Sequence, residues 1–261
     1  MDAYGALRTD FRLRTVATAA MRRDTFIQSC CRHAVAALVL LGCVDASAAP
    51  YPTEVQLRTA IASVAGLLKS EAIALEILDA QKEGLTQPLM AAVLTATGDT
   101  CLVFYNIRPE DGLIQFFETF QEKDLPVLLN ALAVHEATHC FEQHEALIRK
   151  RFDKVLPADF KRDTLTVQGY LAVMKSGALV TWGEALADIA SVLYLKQAVP
   201  AQWLYFANSL AAMRSGLAGK WPAHDTSAWL YKIIAADLGQ AVNPSLFESA
   251  LQLRGLYRPG R

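Results

Sequence analysis

Val134-His135-Glu136-Ala137-Thr138-His139-Cys140 contains His-Glu-x-x-His, a pattern with a direct chemical reading. On a helix, residues four apart lie on one face, a turn above each other. His135 and His139 can therefore offer two imidazole nitrogens to a single cation. Glu136 sits one residue round the cylinder, close enough to reach a water beside that cation. Two ligands, a base and an open position are what metal-assisted hydrolysis requires. Val127, Leu128, Leu129, Leu132 and Val134 precede the motif and predict a helix from Leu125 to Arg151 packed on a core.

The third ligand decides the subclass. The metzincin arrangement needs a histidine six residues beyond His139 and a glycine three beyond, but Glu145 and Glu142 stand there. His144 is one residue short of the required turn. A later stretch, Trp182-Gly183-Glu184-Ala185-Leu186-Ala187-Asp188-Ile189-Ala190, places Glu184 and Asp188 four apart on a very apolar helix. Carboxylates are costly to bury unpaired, and a metal site would compensate both. Glu184 completes a His135, His139, Glu184 ligand set. Asp188 can accept a hydrogen bond from the outer nitrogen of a ligand histidine, fixing its tautomer.

His135-Glu136-x-x-His139 followed by Glu184-x-x-x-Asp188 resembles the gluzincin zinc metallopeptidases, the group containing thermolysin and neprilysin. The resemblance covers two short helices. The 45-residue interval from His139 to Glu184 is longer than in thermolysin, and Gly183 stands where the group often has asparagine. It implies a zincin-like domain: two antiparallel site helices beside a β-sheet, with a peptide lying along the edge strand. It implies Zn2+ as cofactor and peptide-bond hydrolysis with Glu136 as general base. In this group a histidine downstream of the ligand glutamate steadies the oxyanion. His224 is the remaining downstream histidine, with Asp225 available to orient its ring. Alternatively His224 merely precedes a helix over Ser227 to Leu238, capped by Asp225 or Thr226. Tyr170, Tyr194, Tyr205 and Tyr231 are other phenol donors.

Elsewhere the chain reads mostly as helix. Thr53 to Ser70 has helical spacing with Thr53 as cap, and Glu71 to Glu83 continues helically towards Gly84. One β-hairpin is predicted, Met90 to Thr97 and Thr100 to Ile107, joined by Gly98-Asp99. Its second strand is the candidate edge strand for an extended peptide. Past a loop at 108–112, a short helix covers Leu113 to Phe120. The expected fold class is α+β, mainly α-helical, with a small antiparallel β element beside the motif helix.

The N-terminal region reads as targeting. Arg22, Arg23 and Arg32 precede an apolar run of 11 residues from Ala34 to Val44, against the roughly 20 of a spanning helix. Asp45-Ala46-Ser47-Ala48-Ala49 has the small-residue spacing of a signal-peptidase site. Residues 1–48 are expected to be an upstream extension plus secretory signal, with Met21 an alternative start. Residues 49–261 form a single domain, and no transmembrane helix is expected in the mature form. Leu40-Leu41-Gly42-Cys43 also resembles a lipobox, so a lipid anchor at Cys43 is the alternative. The expected location is periplasmic or secreted, or the cell envelope if lipidated.

Without residues 1–48 the chain keeps 19 basic and 22 acidic side chains, a net charge of −3 that gives no reason to expect nucleic acid. Cys101 and Cys140 remain. They form either a disulfide suited to an oxidising compartment or two small buried apolar residues. Two histidines and a carboxylate also suit non-haem iron, though a di-iron bundle would need a second Glu-x-x-His, which is absent. Two rivals to a peptidase stand beside it: a catalytically silent zinc-containing binding or assembly protein of the cell envelope, and a hydrolase of non-peptide substrates.

Overall fold

The computed structural model describes residues 51–85, 89–108, 114–160, 166–236 and 245–259. The signal, lipobox and start-codon assignments fall outside the described residues. The architecture is α+β and mainly helical. Helices α1 (Glu54–Ser63) and α2 (Ala65–Ser70) lead into β1 (Ala74–Asp79), β2 (Met90–Leu94) and β3 (Thr100–Tyr105). Helices α3 (Ile114–Phe117), α4 (Leu125–Leu147), α5 (Phe152–Val155), α6 (Val167–Lys175) and α7 (Val180–Ala198) follow. Next come α8 (Trp203–Leu217), α9 (Ser227–Ala235) and α10 (Leu246–Leu256).

Helix α4 carries the His-Glu-x-x-His motif through the centre. Pro126 fits its first turn, where a missing N–H costs nothing. Most of its side chains are buried, the polar His135, Glu142 and Glu145 among them. Helix α7 is equally enclosed. The two helices pack directly on each other, with Ala131 and Ser191 buried between them. Ser191 Oγ donates to the Ala131 carbonyl across that seam at 2.7 Å, which sets the register of α7 on α4.

Helix α1 begins with the expected Thr53 cap. Thr53 Oγ1 accepts from the Gln56 N–H, and the Gln56 side chain accepts from the Thr53 N–H, a reciprocal capping box. The helix predicted to Ser70 breaks at Val64, which ends α1 and starts α2.

The largest correction concerns residues 74–79. They form β1 rather than a continuing helix. Ala72, at φ 64°, closes α2 in the left-handed region as the Ile73 N–H returns to the Leu68 carbonyl, and β1 then pairs in parallel with β3 from Ala74↔Thr100 to Asp79↔Tyr105. Ala-Leu-Glu-Ile-Leu has good helix formers and no clean alternation, so only the non-local pairing makes it a strand.

The hairpin is present, with β2 antiparallel to β3 from Met90↔Tyr105 to Leu94↔Cys101. Its connection is longer than Gly98-Asp99. The Thr95 N–H donates to the Thr100 carbonyl, and the Gly98 N–H closes a turn onto Thr95. Gly98 has φ +76°, and a Cβ there would fall 2.0 Å from Ile148 Cδ1. Left-handed backbone and close contact both require glycine.

The strand order β1-β3-β2 makes β3 the central strand, not the edge. The edge beside α4 is β2. Thr95 and Leu89 pair with β3, so Met90, Ala92 and Leu94 turn their main-chain groups outward. The Leu94 N–H is taken by Gln143 Oε1 of α4 at 3.1 Å.

Cys101 of β3 and Cys140 of α4 form a disulfide with Cα atoms 5.7 Å apart, which decides between the two cysteine alternatives. It ties the sheet to the helix one residue past His139. The sequence separation is 39 residues, for which chain entropy gives about 4 kcal/mol. Cys101→Ala/Cys140→Ala is therefore expected to lower stability by about that amount in urea unfolding. An unchanged midpoint would show that packing alone holds β3 on α4.

Candidate metal centre

One face of α4 meets one face of α7 at the site. His135, His139 and Glu184 each direct a ligand atom to a common point, all three atoms lying within 4.8 Å of one another. The two Nε2 atoms are 3.1 Å apart, with the rings nearly perpendicular at 84°. Glu184 Oε2 lies 3.4 Å from His135 Nε2, and Oε1 lies 3.6 Å from His139 Nε2. This group can hold a metal ion. The i, i+4 spacing on α4 delivers both imidazoles, and the packing of α7 delivers the carboxylate.

Asp188, one turn beyond Glu184, receives His135 Nδ1 at 2.9 Å, as its spacing predicts. That bond keeps Nδ1 as the donor and leaves Nε2 facing the centre. Sequence reasoning missed the rest of the arrangement. Arg214 of α8 reaches Glu184 Oε2 at 2.9 Å and Asp188 through Nε at 2.7 Å and Nη2 at 2.8 Å. Thr226 Oγ1 also donates to Asp188. The available signal was one arginine in the otherwise apolar stretch Leu210-Ala211-Ala212-Met213-Arg214.

Charge follows from this packing. Burial disfavours the His135 imidazolium, but hydrogen bonds to Asp188 and Glu184 outweigh it and push its pKa up to about 10. Burial lowers His139, and the neighbouring His135 charge lowers it further. Burial works to raise Glu184, yet His135 and His224 hold it well below the usual carboxylate range. Asp188 is likewise opposed by burial but lowered by Arg214 and His135. Glu136 differs. Burial dominates and pushes it up to about 7, where a carboxyl can both take up and release a proton near neutrality.

His224 does converge on the centre. A short 3-10 turn, Pro222–His224, carries it, and its Nδ1 lies 3.3 Å from Glu184 Oε1. The ring is 42 % exposed, open to a ligand. Asp225 does not orient it. Its Oδ1 instead accepts from Ser227 N–H and Oγ at the start of α9, because an Asx oxygen two residues back matches those donors.

The four tyrosines separate. Tyr170 is buried against Phe152 in a satellite core beyond the motif. Tyr205 donates to the Thr119 carbonyl. Tyr194 packs on the main core, and Tyr231 is exposed on α9. The acidic residues at the metzincin positions are structural. Glu142 pairs with Arg254, and Glu145 pairs with Arg149 and Arg151. His144 is buried outside the triad.

Searches against protein-family models, curated proteins and solved structures find no match to this chain.

Proposed function

We propose that this protein is an exported zinc metallopeptidase with a gluzincin-like site. The observation that carries the proposal is the convergence of His135, His139 and Glu184, with Glu136 on the same helix and Asp188 on the outer nitrogen of His135. Two imidazoles and one carboxylate are a donor set that zinc accepts while keeping a position for water. A bound zinc ion supplies Lewis acidity and lowers the pKa of that water.

The chain's own residues then have distinct tasks. Glu136 takes the proton of the attacking water and returns it to the leaving nitrogen. His224, beside Glu184 and open to solvent, donates to the oxygen on which charge develops. Arg214 and Asp188 hold Glu184 and His135 in place. The outward main chain of Met90 and Ala92 on β2, alongside α4, offers pairing to an extended peptide. Export is supported by the Cys101–Cys140 disulfide, a bond of oxidising compartments. Among the described residues, no single helix is long and apolar enough to cross a membrane.

Elemental analysis of purified protein is expected to find about one zinc per chain, the stoichiometry of a single closed triad. Casein hydrolysis should stop with a chelator and return with zinc. Zinc-free protein after zinc incubation, or hydrolysis indifferent to chelation, would overturn the proposal.

A further inference from the structure

Beyond the ligands, α4 and α7 share a second junction, made by the last helix. Arg254 of α10 is fully buried. Its Nη1 meets Glu142 Oε1 of α4 at 2.5 Å and the Trp182 carbonyl of α7 at 3.0 Å. Its Nη2 meets the Val155 carbonyl at 3.1 Å, and its guanidinium lies 4.3 Å from the Trp182 ring centre. Glu142 is three residues past His139, and Trp182 is two before Glu184. Gly183 lies between. A Cβ there would stand 3.1 Å from Glu142 Oε2, so the missing side chain lets Glu142 lie against α7.

We propose that Arg254 is a positioning residue for the metal centre, fixing the spacing of α4 and α7 beneath His139 and Glu184. This rests on the zinc assignment above. Buried ion pairs are a poor source of stability, since apolar residues of similar volume serve as well or better. They do impose direction. A planar guanidinium that satisfies one carboxylate and two carbonyls at once permits one relative placement of the segments it joins. Ligands brought from two helices need that placement; partners hydrogen-bonded directly to ligands are typically worth 10- to 100-fold in metal affinity, and Arg254 acts one contact further out. The C-terminal helix is thereby part of the metal site without touching it.

The test uses the full chain, with zinc affinity measured by competition against a chromophoric chelator and the visible spectrum of the cobalt-loaded protein as a geometric readout. Glu142→Leu/Arg254→Met removes the pair as a unit. It should leave the metal-free protein folded, lose tenfold or more in zinc affinity and shift the cobalt bands. Arg254→Lys keeps the charge but not the fork, and Gly183→Ala crowds Glu142 from the other side. Both should fold and weaken zinc binding. Wild-type affinity and cobalt spectrum in the double variant would overturn the positioning role. If that variant fails to fold, the same result in both Arg254→Lys and Gly183→Ala would do so. A wild-type chain that binds no zinc overturns the metal assignment itself, and is recognised before any variant is made.

Discussion

Glu136→Gln is expected to keep zinc and to lose peptide hydrolysis by about 10²- to 10⁴-fold, the usual worth of a positioned general base. The amide matches the carboxylate in size and still accepts a hydrogen bond, so the packing of α4 should not change. It cannot accept a proton at neutral pH. The ligand atoms come from His135, His139 and Glu184, so binding of the ion does not depend on Glu136. The loss corresponds to about 3–5 kcal/mol of transition-state stabilisation and should appear in kcat rather than in zinc content. The measurement is kcat and KM on a fluorogenic peptide, alongside metal analysis of both proteins. A variant as active as wild type would remove Glu136 from the chemistry. Equal inertness of both proteins across a broad peptide library would favour the silent zinc-binding envelope protein.

Asp188→Ala should be the most damaging change in the site that leaves every ligand in place. Asp188 is 1 % exposed. It holds the outer nitrogen of His135, two nitrogens of Arg214 and the hydroxyl of Thr226. Removing it strands part of a buried guanidinium, an effect of about 3–5 kcal/mol when one partner of a buried pair is lost. It also frees the His135 ring to turn or change tautomer, which should weaken zinc about 10- to 100-fold. Asp188→Asn keeps the shape and some hydrogen bonds and should fall between the two. Thermal melts of metal-free protein separate the stability effect from the affinity effect. An Asp188→Ala protein with wild-type melting temperature and zinc affinity would refute this account.

What the sequence revealed tracks how local each feature is. His135, Glu136 and His139 lie within one and a half turns, and Glu184 with Asp188 within another, so helical periodicity alone groups them. Which carboxylate meets which histidine needed one further assumption, that the two helices pack face to face. Arg214 and Thr226 had no such handle. They come from separate elements, and an isolated arginine or threonine carries no spacing pattern. β1 was hidden for the same reason, because its strand character lies in the pairing with β3 rather than in its side chains. The placement of β3 at the edge failed because strand order is a property of three segments together. Adjacency makes Asp225 available to either His224 or the start of α9, and the N–H and hydroxyl of Ser227 are the donors it meets.

Helix α4 is fastened on three sides: to β3 by Cys101–Cys140, to α7 by Ser191 and to α10 through Glu142 and Arg254. Such multiply anchored helices belong to the last parts of a protein to open. Under the proposed hydrolysis, adjustment would then come from the rim, from the 3-10 turn that carries His224 and from the outward edge of β2 at Met90 and Ala92, while the floor bearing both imidazoles stays still.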